Sequence, residues 1–242
     1  MRAIRASMLT LRVRDVVRAT PRSLIVQLEL GGTPLEYQAG QALRVGLSGQ
    51  PVRRPYSLAL APHEARASGR LELLVGLDVD RSPGGHLAGL GPDTLVDVEG
   101  PAGTFCFPAQ PRERHFLFVA GGTGIAPLRA MLHEALARDE DWSVAVVYSA
   151  RTADEFAYGD ELRGLAKTRR IQLWQTVTRE PAEAWSGQRG RIALSHLEEM
   201  VQVRETLCFV CGPHALVEDV PRLLRQLGIA SGRIRLEDWG SG

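Results

Sequence analysis

Cysteine is scarce in this chain of 242 residues, with three in all: Cys106, Cys208 and Cys211. That number makes no disulfide framework, and a plant-type iron–sulfur cluster, which takes four suitably spaced thiolates, lacks ligands here. Cys208 and Cys211 stand in C-x-x-C spacing, but they fall in and just after the apolar run Thr206-Leu-Cys-Phe-Val-Cys. Such a run reads as a buried strand whose period of two sends the thiols to opposite faces. No second pair completes a four-ligand site, so no metal is expected. Long apolar stretches are missing too, and none approaches the roughly 18 residues of a membrane span. With reduced thiols and no cleavable apolar leader, the reading is of a cytoplasmic protein.

An excess of charge of one sign is also lacking. Lys and Arg number 29 against 28 Asp and Glu, a formal net charge of +1, so no global field calls for a nucleic acid or a membrane. Lysine is nearly absent, Lys167 standing alone, and the basicity is arginine and local. Arg2, Arg5, Arg12, Arg14, Arg18 and Arg22 crowd the start of the chain with only Asp15 opposing them. Either these form a solvated arginine face, or they form a patch that steers an acidic partner.

What is present is ordinary globular material, 44% hydrophobic and 24% charged, enough for one large domain or two of about 100–130 residues. Up to about residue 100, short β-rich runs alternate with turns: Leu24 to Leu30, Ala42 to Leu47, Arg70 to Leu77 and Thr94 to Glu99. That spacing predicts an antiparallel barrel or sandwich. After Pro108 strands alternate with helices. Strands are predicted over His115 to Ala120, Ser143 to Tyr148, Ile171 to Val177 and Leu207 to Val210. Helices are predicted from Pro127, over Glu155 to Leu165 and over Pro213 to Leu227. This grammar implies an α/β half with a parallel sheet. The boundary is placed at the polar, Pro-containing link near 109–112, giving domains of 1–109 and 110–242.

Three segments carry chemistry. Gly121-Gly-Thr-Gly-Ile-Ala-Pro joins the strongest strand to a helix, where glycines admit a ligand to the backbone and the helix N-terminus offers N–H groups to phosphate. It departs from the usual dinucleotide fingerprint, since the third glycine is replaced and no acidic residue follows at the expected distance. Arg53-Arg-Pro-Tyr-Ser-Leu-Ala lies in the β half and, alone, also reads as an edge strand containing proline. Cys211-Gly-Pro closes the last major strand.

Together, in this order and spacing, these segments resemble the ferredoxin–NADP reductase family, which pairs a flavin-binding antiparallel β-barrel with an NAD(P)-binding α/β domain. The resemblance runs over essentially the whole chain. It implies that Arg54, Pro55, Tyr56 and Ser57 form the flavin signature, with Arg54 at the flavin phosphate, Tyr56 at the ring and Ser57 at N5. A guanidinium fork suits phosphate, and a hydroxyl suits a nitrogen that gains and loses a proton. It further implies that Leu74, Val75 and Gly76 touch flavin through backbone, and that Gly84, Gly85, His86 and Leu87 belong to a second phosphate-binding stretch. Gly85 stands where many relatives have Ser or Thr.

In the α/β half the resemblance implies that Gly122, Thr123, Gly124 and Pro127 serve the nicotinamide cofactor's pyrophosphate. Cys211, Gly212 and Pro213 are then implied beside the nicotinamide, with Cys211 positioning rather than attacking. Arg151, Thr178, Arg179 and Arg191 are implied around an adenosine 2′-phosphate, which favours NADPH, with NADH the alternative. Glu237 is implied as a proton relay, and Trp239 as either a cover for the flavin or a pin for the chain end. FAD is expected over FMN. The implied catalytic groups are Ser57, Cys211 and Glu237. The implied acceptor is a separate protein, ferredoxin or flavodoxin first and an oxygenase component second. The competing reading is an electron-transfer subunit of a larger redox complex using NADH.

Overall fold

The structure is a computed structural model and describes residues 8–77, 87, 89–138, 141–181, 184–201 and 203–238. The chain divides into two compact units. One runs to Phe107 and takes in Arg129–Glu134, and the other comprises Pro108–Leu128 and Ala135 onward.

The first unit is an antiparallel six-stranded sheet built from β1 (Leu9–Thr20), β2 (Ser23–Glu29), β3 (Ala42–Leu47), β4 (Arg54–Ser57), β5 (Arg70–Gly76) and β6 (Leu95–Ala102), in the order β4-β3-β6-β1-β2-β5. The two edge strands meet at a single bridge, Leu58 to Leu73, which closes the sheet into a barrel-like ring. Alternation explains its core. Leu24, Val26 and Leu28 of β2 face Leu71, Leu73 and Val75 of β5 across one buried interior. Each side chain so buried contributes roughly 1.5–3 kcal/mol.

Sequence reading missed β1 behind its arginines. Leu11 and Val13 point inward and Arg12 and Arg14 outward, but the register shifts between Val13 and Asp15. A bulge of this kind reverses the phase of everything after it, so Val17 is exposed where strict alternation would bury it. Helix α1 (Pro62–Ser68) was also unforeseen. It begins on Pro62, the Glu64 carboxylate accepts the Ala61 N–H at 2.9 Å, and Gly69 ends it at φ 64°.

The second unit is a parallel six-stranded sheet of β7 (His115–Gly121), β8 (Ser143–Ala150), β9 (Gln172–Val177), β10 (Gln188–Arg189), β11 (Leu207–Gly212) and β12 (Ile234–Asp238), in the order β10-β9-β8-β7-β11-β12. Its helices are α2 (Ile125–Leu136), α3 (Gly159–Lys167), α4 (Leu194–Glu198) and α5 (His214–Gln226). β7 and β11 lie at the centre and read as continuous apolar runs because both faces are covered. Across their ladder the Phe118 and Phe209 rings stack at 5.3 Å. α3 starts at Gly159 rather than near Glu155. A short 3-10 turn occupies Ala153–Glu155, and Tyr158 at φ 57° breaks any helical continuation between them. β10, α4 and β12 were too short or too polar to anticipate.

Cys208 and Cys211 do part to opposite sides of β11: Cys208 joins the core cluster with Val210 and Val220, and burial pushes its thiol up to about 12. The three cysteines are buried and form no disulfide. Among the described residues no group of side chains is arranged to hold a metal, and no helix is long and apolar enough to cross a membrane. Arg12 pairs with Asp93 at 2.8 Å and Arg18 donates to the Pro21 carbonyl. Arg14 is exposed, and Arg2 and Arg5 lie outside the described residues.

Candidate functional site

In the first unit the relevant feature is the pair of edges. β4 and β5 meet at Leu58–Leu73, and among the described residues they form no ladder beyond it. Antiparallel geometry runs Arg54–Ser57 and Leu74–Gly76 away from that bridge side by side. Pro55 is tolerated because an edge strand can do without one N–H. Tyr56 and Ser57 are buried, while Arg54 is exposed. Burial pushes the Tyr56 phenol well up, against the opposing charge of Arg54, so it stays neutral. Val75 turns its side chain into the barrel core, while the adjacent Leu74 is buried on the opposite face of the strand. The Leu87 side chain is fully buried in the barrel core. Gly84, Gly85 and His86 lie outside the described residues.

The two successive arginines of this segment have different fates, which sequence alone could not assign. Arg53 folds back to Asp97 at 3.3 Å and Glu99 at 3.4 Å and is 17% exposed. Asp97 is a hub: it accepts from the Thr10 hydroxyl, the Ser48 hydroxyl and the Gly49 N–H as well. Those hydrogen bonds, led by Thr10 and Gly49, hold its carboxyl below the usual range. The hub fixes the turn before β4 and so fixes where Arg54 begins. An exposed guanidinium beside two unladdered edges, with a hydroxyl at Ser57, is a donor set that fits a flavin phosphate and ring.

In the second unit the candidate residues gather at the carboxyl ends of parallel strands. β7 is followed by β8, β9 and β10 on one side, and the chain then crosses to place β11 on the other. The reversal falls between β7 and β11, and ligands of open α/β sheets bind at such a switch point. The two strand ends touch there through glycine. A Cβ on Gly124 would stand 2.3 Å from the Cys211 carbonyl oxygen, and one on Gly212 would stand 3.0 Å from Gly121. Gly122 is different, with φ 53° and open space where a Cβ would project. Thr123 is the exposed residue of the turn, and Pro127 is buried in the first turn of α2. Pro127 thus helps to shape the helix start.

On the other side of the switch, β11 and β12 pair Cys211 with Glu237 and Gly212 with Asp238. The Cys211 thiol donates toward the Glu237 carboxylate at 3.9 Å. One residue further, His214 at the start of α5 binds Asp238 at 2.8 Å and lies 3.5 Å from Glu218. The hydrogen bond to Asp238 and the charge of Glu218 raise the His214 pKa. Sequence reading nominated Cys211 and Glu237 but had no sign of the His214–Asp238 pair. Trp239 lies outside the described residues.

The arginines follow the same strand-end rule. Arg151 comes directly after β8, Arg179 two residues after β9 and Arg191 two after β10. The loops are tied together: the Arg179 N–H donates to the Arg151 carbonyl at 2.8 Å, and the Thr178 hydroxyl donates to the Ala150 carbonyl at 3.2 Å. Arg179 and Arg191 are exposed, and Arg191 touches Asp219 at 3.7 Å, a solvated contact of little worth. Glu180 accepts the N–H of Ala153, two residues after Arg151, at 2.6 Å. Arg189, which sequence did not single out, is structural and donates to the carbonyls of Trp185 and Glu180.

Comparison with known proteins agrees with this geometry. Residues 9–107 match the oxidoreductase FAD-binding domain and residues 118–222 the oxidoreductase NAD-binding domain. The chain is 32% identical over 218 residues to ferredoxin–NADP reductase B of Sorangium cellulosum, covering 85% of this chain and 86% of that protein. It is 31% identical to an NADPH oxidoreductase of Mycobacterium tuberculosis, covering 93% of this chain but only 58% of that longer protein. Among solved structures, a ferredoxin NADP+ reductase from Neisseria gonorrhoeae with bound FAD and NADP superposes with a TM-score of 0.81 at 20% identity, over 96% of this chain and 99% of that one. A cytochrome P450 reductase of Amycolatopsis gives 0.83 at 26% identity, over 98% of this chain and 72% of that one. The chain therefore belongs to the ferredoxin–NADP reductase family, and it is an oxidoreductase with an FAD-binding barrel and an NAD(P)-binding α/β domain.

Proposed function

We propose that this protein takes reducing equivalents from NADPH and delivers electrons singly to a separate acceptor protein, ferredoxin or flavodoxin first and an oxygenase component second. The observation that carries the cofactor choice is the placement of Arg151, Arg179 and Arg191 just after three neighbouring strands. A dianionic 2′-phosphate matches such a set, whereas NADH enzymes offer an acidic group to the ribose. The names of the relatives, an NADPH oxidoreductase and a ferredoxin–NADP reductase, support the same choice. The P450 reductase among the structural neighbours supports an acceptor outside the chain.

FAD, when bound, would supply the redox chemistry that links a two-electron nicotinamide donor to a one-electron acceptor. The protein's residues bind and orient. Arg54 holds phosphate, the neutral Tyr56 lies along the ring, and Ser57 keeps a proton within reach of N5. Thr123 and the turn around it hold the nucleotide's pyrophosphate at the N-terminus of α2. Cys211, buried at a strand end, limits how the nicotinamide can sit, and Glu237 accepts from its thiol and can relay a proton. Steady-state rates with NADPH and NADH, together with identification of the released flavin, test the reading. Equal use of the two nucleotides, or a preference for NADH, would overturn the cofactor assignment.

A further inference from the structure

Tyr148 of β8 is fully buried, yet it carries a hydroxyl that a phenylalanine would not need in order to pack there. Buried hydroxyls are costly unless satisfied, and this one donates to the Gly122 carbonyl at 3.0 Å. Burial keeps the phenol protonated by pushing its pKa far up, so the donor is always present. The Gly122 carbonyl also receives the Ile125 N–H, so both its lone-pair directions are taken and the peptide cannot rotate freely.

The consequence lies on the far side of that peptide. In a planar trans peptide the C=O and the next N–H point in opposite directions. Holding the Gly122 carbonyl inward therefore sends the Thr123 N–H outward, at the exposed residue of the turn. Phe156 belongs to the loop that leaves β8 through Arg151, and the Tyr148 ring packs edge-on against it at 5.0 Å. Phe156 in turn packs against Trp185 at 5.7 Å, in the loop between Arg179 and Arg191. One phenol thus links the glycine turn to the arginine-bearing loops.

We propose that Tyr148 is a positioning residue for the nicotinamide nucleotide, holding the Gly122 peptide so that the Thr123 N–H faces the pyrophosphate. The proposal rests on the reading that this turn binds pyrophosphate. Since both nucleotides share that group, Tyr148 sets affinity for NADPH and NADH alike, unlike the arginines, which act on the 2′-phosphate.

Tyr148→Phe keeps the ring and removes the hydroxyl. Titration of the flavin-loaded protein with NADP+ and NAD+ is expected to show both weakened by the same factor, roughly five- to tenfold. KM should rise for both reduced nucleotides with kcat and flavin content unchanged. Hydrogen exchange at residues 122–124 should quicken in the nucleotide-free variant, a reading that is independent of turnover. Unchanged affinity for both nucleotides, a loss confined to one, or a lower melting temperature with binding intact would each overturn the proposal. Gly122→Val, made in parallel, separates the two levels. If it abolishes nucleotide binding while Tyr148→Phe leaves both affinities unchanged, Tyr148 is packing alone. If neither matters, the pyrophosphate reading falls with it.

Discussion

The two units solve the same problem, holding a phosphate-bearing cofactor, with opposite parts of the polypeptide. The antiparallel unit offers the side chains of Arg54, Tyr56 and Ser57 along one edge strand, which bridges the other edge at Leu58–Leu73. The parallel unit offers backbone at strand ends, brought together by glycines at the switch between β7 and β11. An edge strand must present side chains because its core-facing half is already committed. A strand end opening into a helix has N–H groups to spare. The barrel site should therefore respond to changes of charge, and the nucleotide site to changes of backbone shape.

The sharpest way to break this contrast is to add one carbon where backbone meets backbone. Gly124→Ala sets a Cβ within 2.3 Å of the Cys211 carbonyl, which is backbone and cannot swing aside. We expect a loss of about 3 kcal/mol or more in the second unit, with nucleotide binding lost and FAD retained. Denaturation followed by separate flavin and nucleotide probes would show it, and joint loss of both cofactors would erase the distinction between units.

Next in size is the one place where the parallel unit depends on side-chain charge. The triple replacement of Arg151, Arg179 and Arg191 by Ala should lower kcat/KM for NADPH roughly a hundredfold, since two shielded charge-assisted contacts at 1.5–3 kcal/mol each suffice. NADH efficiency should stay level, and an equal fall with both nucleotides would place these arginines elsewhere. Arg54→Ala should cost FAD affinity about 1.5–3 kcal/mol, roughly tenfold to a hundredfold. A variant that purifies fully loaded with undiminished affinity would remove Arg54 from the phosphate.

The smallest effects are pH-dependent, and they pull the two units apart in opposite directions. In the first unit burial alone would raise the Glu64 pKa. The hydrogen bonds from His133 at 2.7 Å and from the Ala61 N–H outweigh it and bring the carboxyl from 4.5 to about 2. A depressed carboxyl stabilises above its unfolded value, so this contribution is full above 4.5 and is lost as pH falls toward about 2. In the second unit His214 is raised above 6.5 by Asp238 and Glu218. Its contribution is full below the unfolded value and fades as pH rises through the folded one, and it is small because the pair is exposed. Melting curves of Glu64→Gln and His214→Gln across pH should flatten the acid limb in one and the alkaline limb in the other. Matching profiles for both variants would contradict the assignment.

Much of the site was legible because its residues are neighbours in sequence. Arg54 to Ser57, Gly121 to Gly124 and Cys211 to Pro213 each sit on one turn or strand, and local chemistry announces them. The β-rich and the alternating halves were legible for the same reason, since periods of two and of about 3.6 are local properties. β1 was hidden because a bulge breaks the period, and α3 was set too early because nothing local marks the left-handed backbone at Tyr158.

What the sequence determined by itself is therefore the pair of folds and the short motifs that belong to the family. Only the tertiary structure decided which arginine of the Arg53–Arg54 pair turns inward, because Asp97 lies 44 residues beyond Arg53 in the chain. It alone decided that Leu87 packs in the core and that Glu180 faces Ala153. It also joined Tyr148 to Gly122 across 26 residues, and His214 to Asp238 across 24. The reason is common to all of these. A hydrogen bond or ion pair needs two groups within about 3 Å, and across such separations only strand order and register bring them there.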